Sequence, residues 1–148
     1  MLSYEGIFFN PKVTEFIKSL EPTSLSKVNN SLHCTFKYHP EKDEIFNDIV
    51  GKEFDLYLIG YGNDGQNSGF KVELSPELKK YYINYDEQNT NVLKTPHITV
   101  SLSEGAIPVN TKNLNFIPLE EKIQITGRFG YWIKDRKQSY ISYEPYNK

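Results

Sequence analysis

Residues 31–39 read SLHCTFKYH, and residues 96–103 read PHITVSLS. Both stretches mix β-branched, aromatic and polar residues in the way of strands. Each carries the same frame of His, apolar, Thr, apolar: His33, Cys34, Thr35, Phe36 in the first and His97, Ile98, Thr99, Val100 in the second. Side chains on a strand alternate between its two faces. His33 and Thr35 therefore share one face, with Cys34 and Phe36 on the other. His97 and Thr99 share a face in the same way, opposite Ile98 and Val100. Each frame thus presents an imidazole and a hydroxyl above an apolar face that ties the strand to a core. Two such strands lying together would bring two imidazoles and two hydroxyls to one cleft.

Outward from these strands the chain alternates between strand and helix signals. Residues 3–9, SYEGIFF, read as a strand. Asn10 and Pro11 follow as N-cap and first helical residue, with Val13, Phe16, Ile17 and Leu20 at helical spacing before Pro22. Residues 40–51 suit a short helix or turn, with Ile45, Phe46, Ile49 and Val50 inward and Gly51 as the stop. Residues 52–62 read as a strand, 63–69 as a turn and 70–75 as the returning hairpin arm. A short helix over 76–82 starts at Pro76 with Ser75 as its cap, and the polar residues 84–95 read as a loop. Residues 104–121 read mostly as loop, and 122–135 with 138–144 as a closing hairpin around Asp135 and Arg136. The pattern is α+β. No shift of composition divides residues 1–148, so one domain is expected, and the repeated frame suggests two similar half-lobes.

The two frames suit the cleavage of a phosphodiester. One imidazole removes a proton from a hydroxyl or water while the other protonates the leaving oxygen. Imidazole serves both roles near neutral pH, its reference pKa being about 6.5. The Thr35 and Thr99 hydroxyls can hold the non-bridging oxygens and keep the phosphate in line. This chemistry requires no metal, and no cofactor is expected. A single His in a strand is more often structural than catalytic. Two of three in one frame arise by chance on the order of once in several thousand, which favours the catalytic reading. Two His without a third ligand at suitable spacing do not make a zinc site.

Composition narrows the ligand. The net charge is −2, whereas proteins that grip long DNA or RNA usually carry a basic surplus. A small nucleotide or a short strand end is the better expectation. The single cysteine, Cys34, excludes an intramolecular disulfide, and its apolar neighbours suit a buried, inert thiol. No stretch approaches the roughly 20 apolar residues of a membrane span. No signal-peptide pattern is present, so a cytoplasmic protein without membrane partners is expected.

On these residues the chain resembles the 2H phosphoesterase superfamily, whose signature is a paired His-φ-Ser/Thr-φ motif, φ being apolar. The second His follows the first by 64 positions, from 33 to 97, just beyond mid-chain. The resemblance covers about eight residues at motif level and the order of elements elsewhere. It implies a bilobal α+β fold with two antiparallel sheets around a central cleft. It also implies His33 and His97 as the acid–base pair, with Thr35 and Thr99 as phosphate binders. Members act on RNA ends with 2′,3′-cyclic phosphate, on 2′,5′-oligoadenylate and on the cyclic oligonucleotide messengers of bacterial anti-phage defence. The resemblance implies a cyclic nucleotide or cyclic oligonucleotide as the first choice of substrate. Such an anti-defence role would place a phage-encoded chain in the host cytoplasm. RNA ends come second, and a non-catalytic nucleotide-sequestering protein is the alternative from another class. Phage members are similar in having an early aromatic and a late Trp, which points to Tyr4 and Trp132 as base-binding residues; either ring could equally be core. Lys37 lies two residues beyond Thr35 and is expected on the His33 face, either neutralising phosphate or ending the strand in solvent.

Overall fold

A computed structural model describes residues 2–83, 95–135 and 137–146. The elements in chain order are β1 (Leu2–Phe8), α1 (Pro11–Ser19), β2 (Lys27–Val28), β3 (His33–Tyr38), β4 (Glu53–Asn63), β5 (Asn67–Leu74), α2 (Pro76–Ile83), β6 (His97–Leu102), β7 (Ile117–Lys134) and β8 (Ser139–Ser142). Short 3₁₀ segments occupy Lys42–Glu44 and Pro108–Asn113. The fold is mixed α and β, with few helices beside one eight-stranded sheet. Its hydrogen-bonded path runs β2-β6-β5-β4-β7-β1-β3, with β8 paired to β7, and every pairing is antiparallel.

Local chemistry accounts for the elements. Asn10 caps α1 by accepting the Val13 N–H at 2.8 Å, and Pro11 sits at its start, where no amide is needed. Ile17 of that helix is fully buried, while Phe16 is 45% exposed. The 40–51 segment holds only its 3₁₀ turn, but Ile45, Ile49 and Val50 face inward as their spacing suggests, and Gly51 takes φ +87°. The longest departure from the sequence reading is β7, which begins at Ile117 rather than near Lys122. Pro118 is tolerated because β7 pairs there with β4 alone; β1 joins only from Arg128 onward. The loop expected over 84–95 lies almost wholly outside the described residues, as does Arg136 of the closing turn.

A local repeat positions the two His frames. The segment β1-α1-β3 corresponds to β5-α2-β6, and β7 and β4 are the neighbours of β1 and β5. In the first unit Phe8 pairs with His33, Ile7 with Cys34 and Gly6 with Thr35. In the second, Lys71 pairs with His97, Phe70 with Ile98 and Gly69 with Thr99. A register shift follows at the same point in both, between Glu5 and Gly6 and between Ser68 and Gly69. A Cβ on Gly6 would overlap the Cys34 carbonyl oxygen, and one on Gly69 would overlap that of Ile98. In both units, then, the carbonyl between His and Thr tucks against a glycine that no other residue can replace without moving the strand.

The core lies beneath the frames. Cys34, Phe36, Ile98 and Val100 are buried together with Ile7, Phe70 and Phe129. Strands β3 and β6, far apart along the hydrogen-bonded path, have Cα atoms within 8 Å of each other, so the sheet curls to bring both frames together. The Cys34 thiol meets the His97 backbone at this approach, and burial pushes it up to about 12. Among the described residues no helix is long and apolar enough to cross a membrane.

Candidate active site

His33 and His97 lie close enough for each charge to oppose the other. His97 is buried to 6% exposure, and its Nδ1 stands 2.7 Å from the Thr95 carbonyl. A carbonyl only accepts, so Nδ1 carries the proton and Nε2 keeps its lone pair. His33 repeats the arrangement, bonding the carbonyl of Ser31, again two residues before the histidine. Burial pulls His33 down to about 4, against the pull of the Ser31 carbonyl and with a smaller push from His97. Burial also lowers His97, the Thr95 carbonyl opposing and the Lys112 ammonium assisting. Both imidazoles are therefore neutral in the unliganded protein at pH 7.

The threonines are likewise matched. Thr35 is buried and hydrogen-bonds the Tyr38 phenol, whose own pKa is raised chiefly by burial. Thr99 Oγ1 lies 2.8 Å from Thr111 Oγ1 and 3.3 Å from the Pro108 carbonyl. Asn67 Nδ2 donates to Thr111 Oγ1 at 3.2 Å and to the Ile107 carbonyl at 2.8 Å. Each frame threonine is thus held by a second hydroxyl, and its one proton turns from that partner to donate to an incoming acceptor oxygen.

Aromatic rings cover the His33 side. The Tyr4 ring stacks on His33 at 4.7 Å and on Trp132 at 5.9 Å, with Tyr4 and Trp132 only 9° from parallel. Phe8 lies 5.8 Å from His33 and 5.7 Å from Tyr4, so the three rings form one cluster. The structure therefore brings Tyr4 and Trp132 together with His33, through the register Trp132–Tyr4–Tyr38 across β7, β1 and β3. Both rings are half-buried, so they are neither pure core nor free surface.

Lys37 departs from its expected face. The register shift in β1–β3 pairs Lys37 with Glu5, which alternates with Tyr4 and Gly6 and so points to the core side. Lys37 is 5% exposed and forms an ion pair with Glu44. Period-two counting from Thr35 fails because the bulge at Phe36 inserts one residue, so that Tyr38 rather than Lys37 joins Thr35. The same shift turns Ser101 inward in the other unit. There Ser101 and Ser68 stand 2.6 Å apart, and both hydroxyls bond the Glu21 carboxylate.

Sequence reasoning missed several groups beside the frames. Lys112 bears on His97, and Lys71, exposed, is its direct partner across β5–β6. Lys71 and Lys112 thus stand on the His97 side and the rings on the His33 side. Tyr143 covers Gly130 and meets Phe8 edge-on at 6.4 Å. A second frame partner, Thr111, had no sequence signal of its own. Among the described residues no group of three His, Cys, Asp or Glu side chains is placed to hold a metal ion. No family model matches the chain, and no curated protein matches it.

Proposed function

We propose that the protein is a phosphodiesterase of the 2H phosphoesterase type, cleaving a phosphodiester of a cyclic nucleotide or cyclic oligonucleotide between His33 and His97. The observation that carries this reading is the repeat itself. Two His-φ-Thr frames share register, bulge, facing glycine and carbonyl-bonded imidazole, and they come together. The two repeat units are read as the two lobes flanking the cleft, with the cyclic diester between them.

One imidazole accepts the proton of the attacking hydroxyl or water as its oxygen bonds phosphorus. The other gives a proton to the oxygen whose bond to phosphorus breaks. Burial keeps both rings neutral, so the negative phosphate supplies the field that protonates one of them on binding. Thr35 and Thr99 hold the two non-bridging oxygens, and Lys112 adds positive potential as charge develops. Tyr4 and Trp132 offer a flat surface to a base, and such stacking contributes about 1–3 kcal/mol per base.

The test is a substrate panel incubated in EDTA with chromatographic readout. It holds cyclic mono-, di- and trinucleotides, 2′,5′-oligoadenylate and RNA ending in 2′,3′-cyclic phosphate. The expected result is cleavage of a cyclic nucleotide or oligonucleotide. Cleavage confined to the RNA end would move the protein to RNA processing. A compound retained uncut would make it a sequestering protein, and loss of cleavage on chelation would overturn the two-imidazole mechanism.

A further inference from the structure

A single row of residues crosses four strands on the site face. Glu53 on β4 pairs with Arg128 on β7, Arg128 pairs with Phe8 on β1, and Phe8 pairs with His33 on β3. Directly paired residues point to the same face, so all four side chains stand in line. Around the Glu53 end lies a pocket of about 230 Å³, lined by Phe8, Asn10, Glu53, Thr126, Arg128 and Tyr143. The Arg128 guanidinium lies 5.3 Å from the Tyr143 ring centre, and one of its nitrogens is 3.4 Å from a Glu53 oxygen. That ion pair is long and exposed, 47% at Arg128 and 63% at Glu53, so most of the donors and acceptors of the pair remain open.

We infer that this pocket is a guanine-selective base subsite serving the cleft. Along the edge of guanine run two acceptors, N7 and O6, followed by two donors, N1–H and N2–H₂. An Arg beside a carboxylate matches that order, the fork to O6 and N7 and the carboxylate to N1 and N2. Adenine places its N6 donor against the guanidinium and its N1 lone pair against the carboxylate, so both contacts repel. Tyr143 is the ring a base can reach, because Phe8 is 2% exposed and meets Tyr143 edge-on at 6.4 Å. Neighbouring strands are about 4.8 Å apart, which puts the row position of Arg128 about 10 Å from that of His33. A nucleoside spans that reach between its base and the phosphate at the histidines. Phe8 lines the pocket and its ring lies 5.8 Å from that of His33, so pocket and histidine share one side chain.

The inference rests on the phosphodiesterase reading for its phosphate position, but its test does not require cleavage. Binding of 5′-GMP, 5′-IMP and 5′-AMP is measured by titration calorimetry on the full chain, alongside Glu53→Gln and Arg128→Gln. Both positions are exposed, and thermal melts confirm that the variants fold. The expected result is GMP binding about tenfold or more tighter than AMP, with IMP, which lacks the N2 amine, in between. Each variant should bring the GMP-to-AMP ratio to about threefold or less. Equal binding of all three, preference for AMP, or a ratio unchanged in both variants would overturn the inference. Selective GMP binding without diester cleavage would retain the subsite and remove the enzyme; cleavage indifferent to base would do the reverse.

Discussion

Glu5 gives the fold a titratable weak point that can be measured directly. It is fully buried beside β3, with Oε1 accepting the Phe46 N–H at 3.2 Å and Oε2 lacking a hydrogen-bond partner among the described residues. Burial raises its carboxyl from 4.5 to about 8, with the Phe46 amide and then Lys37 pulling the other way. In the unfolded chain the group ionises near 4.5. Between pH 4.5 and 8 the folded chain keeps a proton that the unfolded chain gives up, so stability is greatest below 4.5 and falls as pH rises through 8. The displacement corresponds to about 5 kcal/mol at most. Rearrangement around an ionised carboxylate facing Lys37 reduces this, and a loss of about 2–5 kcal/mol is expected. Glu5→Gln keeps the oxygen that serves Phe46 and removes the ionisation. Urea unfolding at pH 5 and pH 9 isolates the effect as the difference between variant and native protein. That difference should shift in favour of the variant by about 2–4 kcal/mol from pH 5 to pH 9. A constant difference, or a variant that loses ground as pH rises, would mean that Glu5 is ionised and paired with Lys37 in the folded chain.

Three further outcomes follow. Because burial lowers both His33, to about 4, and His97, the pH profile of kcat/KM should peak on the acid side of pH 6.5. The kcat profile should lie at higher pH, because bound phosphate raises the imidazoles; a kcat/KM maximum above pH 8 would contradict this. Gly6→Ala and Gly69→Ala each force a Cβ into a neighbouring carbonyl, so each should lower stability in urea by about 2 kcal/mol or more, and native-like unfolding of both would refute the tucked-carbonyl geometry. Cys34 is fully buried and its thiol is pushed up to about 12, so a thiol reagent at pH 8 should label it only after denaturant is added. Rapid labelling of the native chain would show that the β3–β6 approach is open.

The legible part of this protein is what strand period two can carry. The His and Thr of each frame and the buried residues beneath them follow from alternation over four residues, and so does the core position of Cys34. The placement of Lys37 fails because a bulge is a property of two strands: nothing in FKYH shows that Phe36 will be the unpaired residue opposite Glu5 and Gly6. The facing glycines were unreadable for the same reason, since Gly6 and Gly69 acquire meaning only when Thr35 and Thr99 are set against them. Pro118 and the charged residues after it disguise the first third of β7, a strand whose length aligns Arg128 with Phe8 and His33. The frame fixes one strand at a time, whereas the site depends on four strands held in register.

If His33 and His97 act as an acid–base pair on one diester, turnover needs both. The most direct measurement is the single-turnover cleavage rate of the best panel substrate, in EDTA, for the native chain, His33→Ala and His97→Ala, with melts run beside them. Each variant should melt as a folded protein and lose about 10²- to 10⁴-fold in rate. Two folded variants that both cleave at near-native rates would contradict that role.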